Sequence, residues 1–283
     1  MVERRVLPLL LLAGCWGRGF AYEGGVPQDT SAPAASECGN DLDLEAGINV
    51  AGTATDLQTG QPVVRADTAL PALCVAAIDP SPAVVNGDPE DLVTSTLCDD
   101  GTYVLAGIEE IPSIGLMVGI YDCAATDDEA TVMRTVTGVA SDDFEGFGPG
   151  DTLEGVTAWS ISSAFLAEMQ ADLESSTPDL RTEGFLSGFV TDANGAPVDG
   201  ATVTCGNCDT TPTYYLDAAP EDGLFGDGTT FNASTEADAR AFFLIPAANI
   251  TTYEADDGGA HTWDGALFGS LAGYGVFIQF DGQ

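Results

Sequence analysis

Lysine is absent from this chain, and histidine occurs once, as His261. The seven basic residues are all arginine and face 45 aspartates and glutamates, a formal charge of −38 at neutral pH. Without lysine there is no Schiff-base amine and no ammonium to clamp a phosphate, and one histidine cannot build a histidine-rich zinc site. His-Glu-x-x-His, Gly-x-Ser-x-Gly and a phosphate loop ending in Gly-Lys-Ser/Thr are missing as well. Carboxylate pairs are abundant, but composition alone produces them, so no glycosidase pair stands out. The chain therefore reads as a non-enzyme. A surface of this sign repels nucleic-acid phosphates, which excludes nucleic acid as an expected partner. The same charge destabilises the fold through self-repulsion, most at low ionic strength, and suits a saline or cation-rich exterior.

The N-terminus has Arg4 and Arg5, an apolar run from Val6 to Leu12, then Leu12-Ala13-Gly14-Cys15. That run is too short to cross about 30 Å of hydrocarbon as a helix. The segment resembles the lipobox of bacterial lipoproteins, with an ordinary secretory peptide as the alternative. The resemblance implies removal of residues 1–14, acylation of Cys15, and a membrane partner reached through the lipid. The expected location is the bacterial cell envelope, at the outer membrane, since two or more acyl chains anchor stably. Residues 15–46 are rich in Gly, Pro, Ser, Thr, Ala and Asp and read as a flexible tether reaching roughly 30 Å.

Six further cysteines, Cys38, Cys74, Cys98, Cys123, Cys205 and Cys208, form an even set, which in an exported protein reads as a disulfide framework. Their segregation predicts that Cys205 pairs with Cys208 and the first four among themselves. A redox role for Cys205-Gly-Asn-Cys208 wants a helix N-terminus, whereas this pair follows a strand and precedes Asp209. A zinc knuckle would need two more ligands at suitable spacing.

An internal repeat organises the rest. Val50-Ala-Gly52-Thr-Ala-Thr55-Asp56, leading to Gly60 and Pro62-Val63, aligns with Leu186-Ser-Gly188-Phe-Val-Thr191-Asp192, leading to Gly195 and Pro197-Val198, with one residue gapped in the turn. Each copy is an alternating strand, an Asp turn start, a glycine suited to positive φ, then proline. Asp99-Asp100-Gly101-Thr102-Tyr103 reads as a later strand-turn-strand, echoed more weakly by Asp238-Ala-Arg-Ala-Phe242. In the second copy Gly188, Val190, Asp192, Gly195, Pro197, Val198, Gly200, Ala201 and Val203 resemble the carboxypeptidase regulatory-like domain. The first copy departs from it at Arg65-Ala66-Asp67. The resemblance implies transthyretin-like Greek-key β-sandwiches used as accessory or spacer modules. The expected fold class is all-β: a first sandwich over 47–140, an acidic loop and linking helix over 141–183, and a second sandwich over 184–283.

Within these, Phe165, Leu166, Met169 and Leu173 give a helical stripe over 160–175, and Val276, Ile278 and Phe280 share one strand face. Asp142, Asp143, Glu145 and Asp151 cluster among glycines and are weak calcium candidates, without the spacing of an EF-hand. No cofactor is otherwise expected. His261 lies in a loop composition and reads as a solvated or capping residue rather than a catalytic base. Trp263, Tyr214 and Tyr215 would stack on sugars if exposed, and burial in a core explains them equally well. The function expected is a non-catalytic, lipid-anchored envelope protein displaying two sandwiches for binding, adhesion or spacing, with an unknown protein or glycan partner. The alternative is a glycan- or peptide-directed enzyme, or its accessory subunit, using carboxylates between the sandwiches.

Overall fold

The computed structural model describes residues 43–64, 72–123, 130–205, 212–218, 223–225 and 231–283. The first half runs β1 (Ile48–Asp56), β2 (Leu73–Asp79), α1 (Ser81–Asn86), β3 (Glu90–Thr96), β4 (Thr102–Ile108), β5 (Leu116–Asp122), β6 (Val132–Met133), β7 (Thr135–Val139) and β8 (Thr152–Ser162). The second half runs α2 (Ser163–Asp172), α3 (Leu180–Glu183), β9 (Phe185–Thr191), β10 (Thr202–Cys205), β11 (Tyr214–Tyr215), β12 (Phe242–Pro246), β13 (Thr251–Asp256), β14 (Ala266–Phe268) and β15 (Gly275–Asp281). The fold is β-sandwich throughout, with short helices at its margins.

Alternation along each strand decides which residues meet. In the first half, sheet β4-β1-β8-β6 faces β7-β5-β2-β3, and Val50, Tyr103, Val75, Val118 and Val156 fill the space between. In the second half, β10-β13-β14 faces β11-β12-β9-β15 around Val203, Tyr253, Phe243, Ile278 and Phe280. Each fully buried side chain of this size contributes about 1.5–3 kcal/mol.

The two copies match strand for strand. Gly52 lies opposite Tyr103 of β4 and beside Val156 of β8, as Gly188 lies opposite Phe243 of β12 and beside Ile278 of β15. A Cβ on Gly52 would sit 1.7 Å from the Val156 carbonyl oxygen, and one on Gly188 would sit 1.9 Å from that of Ile278. Only glycine permits that backbone approach. The turns agree too. Asp56 N–H donates to Gln61 O and Val63 N–H to Ala54 O, while Asp192 N–H donates to Ala196 O and Val198 N–H to Val190 O. Gly60 and Gly195 take the positive φ, 67° and 77°.

The copies are also joined. β15 pairs in parallel with β9 on one side and with β7 of the first copy on the other. The result is one eight-stranded sheet, β11-β12-β9-β15-β7-β5-β2-β3. The predicted face of Val276, Ile278 and Phe280 is correct, but Phe277 on the other face is buried as well, at 1 % exposure. Strands covered on both sides lose the polar half of their alternation.

Two expectations need correction. Thr152–Ser162 is not part of a linker; as β8 it lies beside β1 and completes the first copy's sheet, with Val156 and Ala158 buried. The helix starts only at Ser163, because Ser160-Ile161-Ser162 continue β8 and Ser162 Oγ caps the helix by accepting from Phe165 N–H. Its stripe, Phe165, Leu166, Met169 and Leu173, packs against Phe185, Phe242 and Phe277.

Candidate functional site: the seam between the copies

Where β15 meets β7, side chains from both copies interlock. Trp159 at the end of β8 packs on Phe189 and Phe277 of the second copy, with ring centroids 4.8 and 6.2 Å away. Thr135 Oγ1 donates to the Trp159 carbonyl. Arg240 reaches across from the loop before β12, donating through Nη2 to the Leu57 carbonyl and standing 5.8 Å from the Phe189 ring. All three arginines among the described residues, Arg134, Arg181 and Arg240, line cavities of this seam.

The first cavity, about 300 Å³, is bounded by Gly60 and Gly195 of the two repeat turns and by Trp159, Thr137, Gln279 and Arg240. Arg240 is the one ionisable residue among the described residues that line it. Its Nη1 is buried without a hydrogen-bond partner. Desolvation pulls the guanidinium below its usual range, and the charge of Asp56 opposes that shift.

The second cavity, about 570 Å³, lies at the other end of the seam. Arg134 is sandwiched there, 4.3 Å from the Tyr121 ring and 5.3 Å from that of Tyr274, and donates to Tyr274 Oη at 2.9 Å. Burial raises both tyrosine hydroxyls above their ordinary value. Among the described lining residues the one carboxylate is Asp122, which accepts from Thr131 Oγ1 at 2.9 Å and from Val132 N–H at 3.1 Å. That carboxylate holds backbone, and among the described residues no second one lines either cavity.

The remaining sequence candidates are dispersed. Asp143 accepts from Ala140 N–H and Asp151 from Gly148 N–H, each closing its own turn, while Asp142 and Glu145 are exposed. Among the described residues no group of three or more His, Cys, Asp or Glu is placed to hold a metal. Cys74 and Cys123 form a disulfide joining the ends of β2 and β5. Cys98 and Cys205 are disulfide-bonded too. Cys15, Cys38 and Cys208 also lie outside them. His261 Nδ1 sits 2.6 Å from Asp257 Oδ2, which clasps the loop after β13.

Tyr214 and Tyr215 are core residues, 2 % and 3 % exposed, and offer no stacking surface. Both aromatic faces of that short strand are covered, so of the two alternatives, exposure or burial, burial is the one that accounts for these aromatics. Trp263 is half-buried, donating to Thr191 O and packing against the second core. Arg240, Trp159 and Gln279 carried no motif that would have singled them out. The one available signal was scarcity: in a chain with so few cations, each arginine marks a place where charge is needed.

No protein-family model matches the chain, so the carboxypeptidase regulatory-like resemblance rests on the residues of the two turns. No curated protein matches it in sequence. Among solved structures, the chain is similar to the shaft pilin spaA from Lactobacillus rhamnosus GG at 11 % identity and a TM-score of 0.22, covering 84 % of this chain and 98 % of that one. It is also similar to a streptococcal ancillary pilin at 8 % identity and a TM-score of 0.23, covering 84 % and 69 %. At these values no residue here takes a role from either protein. Among the described residues no helix is long and apolar enough to cross a membrane.

Proposed function

We propose that this is a non-catalytic cell-envelope protein, anchored through a lipid on Cys15, that displays two fused β-sandwiches as one binding unit. The observation that carries the reading is the eight-stranded sheet running through both copies. A tandem pair joined by a linker would hinge, whereas shared strand pairing and the Trp159–Phe189–Phe277 cluster hold the copies in one orientation. A fixed display surface above a tether suits binding, adhesion or spacing. The carboxylate-based enzyme has less support, because the seam cavities present arginine and Asp122 is committed to Thr131 and Val132.

The test is metabolic labelling with an alkyne-bearing fatty acid in a bacterium expressing the full chain, followed by protease treatment of intact cells. The chain takes up label, stays with membranes and is digested from outside, while Cys15→Ser loses the label and is released. Retention of Cys15→Ser in membranes, or protection from protease in intact cells, would overturn the reading.

A further inference from the structure

We propose that the cavity beside Arg240 binds a carboxylate-bearing sugar, the carboxylate pairing with the guanidinium and the ring lying against Trp159. This rests on the reading of the protein as a binding module and names a ligand class for it.

The charge argument comes first. In a chain of net charge −38, Arg240 is the only ionisable group among the described residues lining this cavity, so an anion meets one local attraction, shared with Asp56, inside a repulsive field. That field penalises a doubly charged phosphate more than a singly charged carboxylate. A guanidinium presents a planar fork that matches a carboxylate in bidentate fashion. Here Nη2 is held by the Leu57 carbonyl, and Nη1 lacks an acceptor. An unsatisfied buried donor destabilises its own site, so a ligand that supplies the acceptor gains by that same deficit. Nη1 is out of contact with solvent, so the carboxylate is met by a turn of the guanidinium toward the cavity.

The remaining walls select a sugar. Trp159 gives a half-buried aromatic face, and Val156 and Pro197 add apolar surface. Thr157 brings a half-buried hydroxyl, and Thr137, Thr191 and Gln279 line the cavity with neutral groups that also bond Trp159 N–H, Phe280 O and Asp281 Oδ1. One aromatic plane, one cation and a rim of hydroxyls and an amide complement a ring with an apolar face, hydroxyls and one carboxylate. The volume of about 300 Å³ fits one such ring. Residues of both copies line it, so the cavity exists only because the copies are fused.

The experiment titrates sodium glucuronate into the purified full chain, with sodium chloride at matched ionic strength and methyl glucoside as the ring without a carboxylate. The readouts are indole fluorescence, reported by the chain's three tryptophans, and the thermal midpoint. Glucuronate changes the emission saturably and raises the midpoint beyond the salt control, and methyl glucoside binds at least about tenfold more weakly. Arg240→Lys keeps the charge but loses the fork, and weakens glucuronate by about tenfold or more. Should that variant fold poorly, Thr157→Trp fills the cavity without touching Arg240 and abolishes the response. Equal binding of the two sugars, unchanged affinity in both variants, or no response of the folded chain to glucuronate would each overturn the proposal. Envelope display is judged by the labelling experiment, which uses no ligand, so the two failures are distinguishable.

Discussion

The first and second copies share a topology but are secured differently. In the first, Gly101 takes a φ of 87° at the turn into β4, and Tyr103 sends its hydroxyl across the core to donate to the Val156 carbonyl at 2.8 Å. In the second, the corresponding positions are Ala241, with a φ of 50°, and Phe243, which has no hydroxyl. The first copy adds the Cys74–Cys123 disulfide across its sheet. The second, where Cys205 is disulfide-bonded as well, adds aromatic packing, Tyr215 Oη accepting from Val203 N–H at 2.7 Å, and the His261–Asp257 clasp. The contrast teaches that the pairing of β1, β4 and β8, repeated as β9, β12 and β15, is the invariant. What fastens it is interchangeable.

Substitutions at the shared invariant have the largest expected effect. Gly52→Ala and Gly188→Ala each drive a methyl into a neighbouring carbonyl, so each is expected to cost about 3 kcal/mol or more. Denaturant unfolding checks this, and a mild effect in one copy only would break the correspondence. Next, Cys74→Ser opens a loop spanning a sequence separation of 49 and is expected to cost about 2–4 kcal/mol, an effect confined to the first copy.

The turn into the returning strand sharpens the comparison further. Gly101→Ala places a methyl 3.0 Å from the Val63 carbonyl oxygen at a positive φ, and is expected to cost about 1–2 kcal/mol. Ala241→Gly relieves a left-handed alanine but removes a fully buried methyl worth about 0.8 kcal/mol, so its thermal midpoint is expected to move little.

The smallest effect is the acid response of the turns. The His261 side chain holds Asp257 below the ordinary carboxylate range, and the backbone N–H groups of Ala196 and Asn194 do the same for Asp192. In the first copy the Thr102 hydroxyl lowers Asp100. A depressed carboxylate contributes stability that is present above its unfolded value and lost as pH falls through the folded one, so the loss lies below about pH 4. Melting curves between neutral and strongly acid pH check the sign. Asp192→Asn and Asp257→Asn flatten the acid limb, whereas a steeper limb would contradict the assignment.

Much of this was legible locally. Asp56 and Asp192 start their turns, Gly60 and Gly195 take positive φ, and the stripe from Phe165 to Leu173 faces the core, because each signal is written within a few residues. β8 was hidden because its alternation, Val156 and Ala158 inward, follows directly on the acidic, glycine-rich stretch from Asp142 to Asp151. The parallel pairing of β15 with β7 joins Gly275 to Thr135, far apart in sequence, and an edge-to-edge union leaves no residue pattern of its own. Arg240 was silent for the same reason, since its partners Leu57 and Phe189 lie in different copies.

The central claim is that the copies form one sheet through β15 and β7, and amide hydrogen exchange along these two strands tests it most directly. The account predicts that amides of 135–139 and 275–281 exchange as slowly as those of β5 and β9, since both strands are interior. Rapid exchange of β7 amides while β5 stays protected would show β7 to be a free edge and would contradict the fused sheet.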